Sequence, residues 1–134
     1  MVQKFNYNWP EGFPEGVPVE EAVPASGMVY RLVENIPPTE LDFQMYRKER
    51  PDIRIAKEKI PYSYGVSVWS KLSKILRQKE RYPKPEQFGN KKVVGGELTE
   101  DLGLMYVCTV DKGHVTLWGQ EGAKPHLQVC EEIT

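Results

Sequence analysis

From Met28 to Val33 the chain reads Met-Val-Tyr-Arg-Leu-Val, a run of strand formers that predicts a first β-strand. Ile36-Pro37-Pro38 ends it. Thr39 followed by Asp42 resembles a capping box. Leu41, Phe43, Met45 and Tyr46 then predict a short helix that Pro51 stops near Arg50. Tyr62 to Trp69 reads as a strand leading into a helix, with Ser67 as the N-cap and Ser70 as the alternative. Trp69, Leu72, Ile75 and Leu76 share one helical face, and Pro83 marks the stop.

The last third is patterned for strands. Lys92 to Leu98 is interrupted by Gly95-Gly96, which marks a bulge or a close backbone approach. Thr99 to Gly103 reads as a turn and Leu104 to Val110 as a strand. Asp111-Lys112-Gly113 is a short hairpin loop. In the returning segment, alternation puts His114, Thr116 and Trp118 on one face and Val115 and Leu117 on the other. The first set reads as the solvent face of an antiparallel sheet, with a pocket mouth as the alternative. His126 to Cys130 is the last expected strand. Together these elements predict an α+β fold with a small mixed or antiparallel sheet of about five to six strands and two helices.

Residues 1–26 follow neither period. Pro10, Pro14, Pro18 and Pro24 favour extended segments and turns, so this stretch is expected to be a proline-rich N-terminal arm to a single domain at 27–134. Phe5, Tyr7, Trp9 and Phe13 make it too aromatic for a free tail. These four rings are the candidate partner-binding residues, because large aromatics anchor interfaces. The partner is another protein or a second copy exchanging arms; packing on the chain's own body is the alternative.

Composition changes the picture little, but charge does. The 134 residues, 40% hydrophobic and 28% charged, suit one globular domain. No apolar run approaches the ~20 residues of a membrane span, and no secretory signal is visible. With only Cys108 and Cys130, the expectation is an unprocessed cytoplasmic protein with reduced thiols buried in strands. Net charge is −1, yet residues 47–92 carry 14 Lys and Arg against 5 Asp and Glu, and the remainder 4 against 14. Lys71, Lys74, Arg77 and Arg81 are the candidate nucleic-acid-binding residues, joined by Lys79 and Lys84, with Tyr46, Tyr62, Tyr64 and Tyr82 to stack on bases. A solvated helix face that pairs with the acidic remainder is the alternative.

Three further residues suggest catalysis. Arg31 lies on the first strand, Ser67 in Gly65-Val66-Ser67-Val68-Trp69, and Glu97 in Gly95-Gly96-Glu97-Leu98. Their order resembles the arginine–serine–glutamate layout of ADP-ribosyltransferases. That resemblance implies an NAD-using enzyme in which Arg31 holds a phosphate, Ser67 supports the nicotinamide side and Glu97 stabilises oxocarbenium-like charge. Gly95 stands where the family often has a further carboxylate or amide, and no Thr-Ser follows Ser67. The structural alternative makes Arg31 an ion-pair partner, Ser67 a helix cap and Glu97 a strand end. Cys108, His114, His126 and Cys130 lack the tight knuckle spacing of a zinc site, so no metal is expected. Phosphate-loop, dinucleotide and nucleophile-elbow motifs are absent, and no cofactor is expected of the leading reading. That reading is a small binding or accessory protein acting by association, with the basic segment contacting nucleic acid. The NAD-using transferase is the alternative.

Overall fold

A computed structural model describes residues 7–81 and 91–133, without the side chains of 78–81. Seven strands form one sheet: β1 (Val23–Pro24), β2 (Gly27–Val33), β3 (Val66–Trp69), β4 (Lys92–Leu98), β5 (Gly103–Val107), β6 (His114–Gly119) and β7 (Glu131–Glu132). Their spatial order is β1-β5-β6-β3-β2-β4-β7, and every pairing is antiparallel. Among the described residues three α-helices accompany them: α1 (Tyr46–Glu49), α2 (Ile60–Ser63) and α3 (Leu72–Arg81). The α+β expectation holds. The two additional strands are the two-residue edges β1 and β7, whose Pro24 and paired glutamates discourage further strand addition.

Strand alternation sorts the two sheet faces. Val29, Val33, Val66, Val68, Val94, Leu98, Val115 and Leu117 point to one side and are buried. Ala25, Phe43, Leu102 and Val129 close over them to complete the core. Burying each such valine or leucine stabilises the fold by about 1.5–3 kcal/mol before entropy is counted. Gly96 is part of this closure. A Cβ there would stand 2.7 Å from the Val129 Cα, so the doublet marks a close approach.

The opposite face carries Ser67, Trp69, Tyr106, His114, Thr116 and Trp118. It is not the solvent face that alternation suggested. Trp118 is fully buried and Thr116 is 4% exposed. The cause is the segment before β3, which crosses this face: Trp118 Nε1 donates to Pro61 O at 3.1 Å, and the Tyr62 ring lies 5.9 Å from the indole. Ile75 of α3 is also buried.

Local predictions fail where long-range contacts intervene. The helix expected after Thr39 breaks into a 3-10 turn at Glu40–Phe43 and the short α1. Asp42 closes the capping box, but its carboxylate also takes the Glu34 N–H at 2.8 Å, which holds the turn against β2. Ser67 is mid-strand rather than an N-cap, and Trp69 is still strand. The helix begins only after Ser70 N–H donates to Gly113 O at 2.7 Å. His126–Cys130 is not a strand: Pro125 opens a 3-10 turn, and the strand waits until Glu131. Neither cysteine is buried in a strand; Cys108 is half-buried and Cys130 exposed. Four strands lie between the β5 end that bears Cys108 and β7, which Cys130 precedes.

The arm turns back on the body. Tyr7 OH donates to Glu100 O at 2.7 Å, and Glu121 N–H donates to Asn8 O at 2.6 Å. Trp9 packs between Tyr7 and Phe13, and Phe13 meets the edge of Tyr64 at 5.8 Å. Arg47 covers Tyr64 at 4.2 Å. Phe5 lies outside the described residues. The stretch read as an arm also supplies β1, so these residues form the sheet's edge. Among the described residues no helix is long and apolar enough to cross a membrane.

Candidate ligand-binding site

The chain between α1 and β3 does not lie flat on the second sheet face. It arches over it and leaves a cavity of about 560 Å³, within the range of small-molecule sites. Ser67 of β3 and His114 and Thr116 of β6 face into it from the sheet. Tyr106 and Cys108 line it beside Tyr46, Tyr62 and residues of the 53–59 segment, with the exposed Arg54, Glu58 and Lys59 at the rim. Two contacts fix the arch. Tyr46 N–H donates to Gly65 O at 2.8 Å, and Gly65 lies so close to β6 that a Cβ would come 3.1 Å from Leu117 O and overlap the Thr116 side chain. Tyr62 and Tyr106 stack obliquely at 5.3 Å across the cavity wall.

Ser67 and His114 are a bonded pair. The strand register sets Ser67 opposite Thr116 and Trp69 opposite His114, so Ser67 and His114 are diagonal neighbours on one face. Ser67 Oγ and His114 Nε2 are 2.6 Å apart. With the ring proton on Nδ1, the serine hydroxyl donates to Nε2. Trp69 holds the imidazole edge-on at 5.0 Å. Burial pushes the His114 pKa below its ordinary value; Asp111 opposes the shift and Lys59 adds to it. The ring is therefore neutral at pH 7. Burial also raises the Tyr62 pKa, helped by Tyr106, Glu21 and Cys108, so its phenol stays protonated.

Arg31 has a different setting. It is 6% exposed, on the core side of β2, at the point where β2 and β3 separate. Its Nε donates to Asp42 O, one terminal nitrogen to Ser67 O and the other to Glu49 Oε2, each at 2.6 Å. Phe43 lies under the guanidinium at 5.5 Å. The sequence alternative of an ion pair describes this arrangement, with Glu49 as the partner. Arg31 and Ser67 thus meet, but through the serine carbonyl.

Glu97 does not join them. It is exposed and sits opposite Met28, on the other face of the sheet from Arg31. Strand spacings place it roughly 16 Å from Ser67. Neither Arg31 nor Glu97 lines the cavity.

The cations on α3 and just before it lie elsewhere. Lys71 and Arg77 are exposed; Lys74 is half-buried and 3.9 Å from Asp111. The side chain of Arg81 lies outside the described residues, as do Tyr82 and Lys84. Among the described residues no group of His, Cys, Asp and Glu could hold a metal. Two of the tyrosines expected to stack on bases, Tyr46 and Tyr62, do line the cavity. Compared with known protein families, curated proteins and solved structures, the chain matches none. Its function is therefore read from the site alone.

Sequence reasoning did not assemble Ser67 with His114, nor did it single out Tyr106, Arg54 and Lys59. One signal was available: the His114-Thr116-Trp118 face, read as a pocket mouth instead of a solvent face.

Proposed function

We propose that this chain is a binding protein for a nucleoside phosphate, free or at the end of a strand. The cavity carries the reading: three tyrosines, Tyr46, Tyr62 and Tyr106, surround a space of about 560 Å³ whose rim bears Arg54 and Lys59. Aromatic faces take a planar base, at about 1–3 kcal/mol per stacked base. Rim cations take the phosphate, and the serine, threonine and histidine on the floor offer polar contacts to a sugar. The nucleic-acid expectation thus moves from α3 to the 53–59 segment. Self-association through the arm has less support, because Tyr7 OH bonds to Glu100 O and the Phe13 ring meets Tyr64, with Trp9 stacked between the Tyr7 and Phe13 rings.

The test is a calorimetric titration with the four ribonucleoside monophosphates, short single-stranded RNA and NAD. Binding of a monophosphate is expected, weakened at least tenfold by joint Arg54→Ala and Lys59→Ala substitution and by rising salt. Absence of heat from every monophosphate at millimolar concentration overturns the reading. Binding of NAD alone would revive the transferase alternative in a form that does not use Glu97.

A further inference from the structure

The Ser67–His114 pair goes beyond what binding requires. A ligand cavity needs polar groups, but it does not need a serine hydroxyl within hydrogen-bond distance of an imidazole nitrogen. The two side chains are 2.6 Å apart at the cavity floor, and the rim cations Arg54 and Lys59 open onto the same space. We propose that Ser67 is a nucleophile toward phosphate esters, with His114 as its general base. The inference rests on the nucleoside-phosphate reading for its substrate class.

The chemistry balances without a metal or a redox partner. Ser67 Oγ attacks phosphorus and forms an O–P bond while its proton passes to His114 Nε2. The bond from phosphorus to the leaving oxygen breaks, and His114 returns the proton to that alkoxide. Water then attacks the phosphoserine, gives its proton to His114, and frees Ser67 with its proton restored. A phosphodiester and water become a phosphomonoester and an alcohol. Arg54 and Lys59 meet the charge that builds on the equatorial oxygens. Trp69, packed edge-on at 5.0 Å, keeps the imidazole in register. The charged groups facing the ring are Lys59, from the segment before α2, and Asp111, from the β5–β6 turn.

The experiment treats the full chain with a fluorophosphonate, a phosphorus electrophile that loses fluoride to an activated serine, and maps the adduct by mass spectrometry. One adduct on Ser67 is expected. The labelling rate should rise with pH and level off once His114 is neutral. His114→Gln should slow it on the order of 10²-fold or more and abolish that pH dependence. Ser67→Ala should remove the adduct while leaving the circular dichroism spectrum unchanged. No adduct on Ser67, or a rate that His114→Gln leaves unaltered, overturns the proposal. Adenosine monophosphate separates this inference from the binding reading. Protection of Ser67 supports both. Labelling without monophosphate binding sinks the nucleoside reading and keeps the nucleophile. Monophosphate binding without labelling does the reverse.

Discussion

Ser67 belongs to two polar constellations of opposite character. Its carbonyl accepts from Arg31, which also donates to Asp42 O and Glu49. Its hydroxyl reaches through the other side of the strand to His114 and an open cavity. The first is closed: Arg31 is 6% exposed, and Nε and both terminal nitrogens each have a protein acceptor at 2.6 Å. The second leaves its groups turned toward a space that a ligand can fill. A buried polar group is costly unless satisfied, so a fully satisfied one argues for architecture. A bonded pair beside a cavity argues for chemistry. Residue type alone does not make that distinction, since a strand arginine and a strand serine can each serve either purpose.

The largest expected effect tests the closed site. Arg31→Ala would leave Glu49, Asp42 O and Ser67 O without their donor, destabilising the chain by about 3–5 kcal/mol. Urea unfolding followed by tryptophan fluorescence measures this. A loss under ~1 kcal/mol would mean Arg31 is not architectural, and the contrast with the cavity would fail.

Asp42 is the next most sensitive residue. Burial pushes its pKa up, but hydrogen bonds from the Thr39 and Glu34 backbones and the Asn35 and Thr39 side chains outweigh that and hold it below its ordinary value. Asp42→Ala should cost about 2 kcal/mol at neutral pH. Because the folded pKa is the lower one, this stability is present above the ordinary carboxylate range and is lost as pH falls through the folded value. Asp42→Asn should therefore flatten the acid limb of a urea-midpoint profile. An unchanged limb would remove Asp42 as its cause.

His114 sharpens the comparison at milder pH. Its folded pKa is also depressed, so the folded state prefers the neutral ring. Stability should begin to fall as pH drops below about 6.5, its ordinary value, and continue falling until the folded pKa is passed. His114→Gln should remove that slope and leave the Asp42 limb in place. A slope that survives the substitution belongs to another group.

The smallest stability effect is the most discriminating. Ser67→Ala removes the hydroxyl and keeps the carbonyl, so it strips the open site and spares the closed one. Its cost should stay near ~1 kcal/mol, the net value of one hydrogen bond. A loss as large as that of Arg31→Ala would show that the two constellations are one structural unit.

Sequence pattern alone determined the strands β2, β4 and β6 and the body of α3, and it marked Gly95-Gly96 as a bulge or a close approach. Each rests on neighbours within a few residues: β-branched runs, one apolar helical face, or a doublet without side chains. The α+β class followed from their order, and the ion-pair alternative for Arg31 was visible beside its catalytic one. The tertiary structure decided the rest. Ser67 became a mid-strand residue because Ser70 is bonded to Gly113, forty-three positions away, and the helix starts only beyond it. The face of His114, Thr116 and Trp118 is covered because Pro61 and Tyr62 cross it. Glu97 stands apart from Arg31 because one residue of register puts a side chain on the opposite face of a sheet. Local preference fixes which dihedrals a segment adopts. Which side chains meet across 47 positions, as Ser67 and His114 do, is fixed only when the strands pair and a loop closes over them.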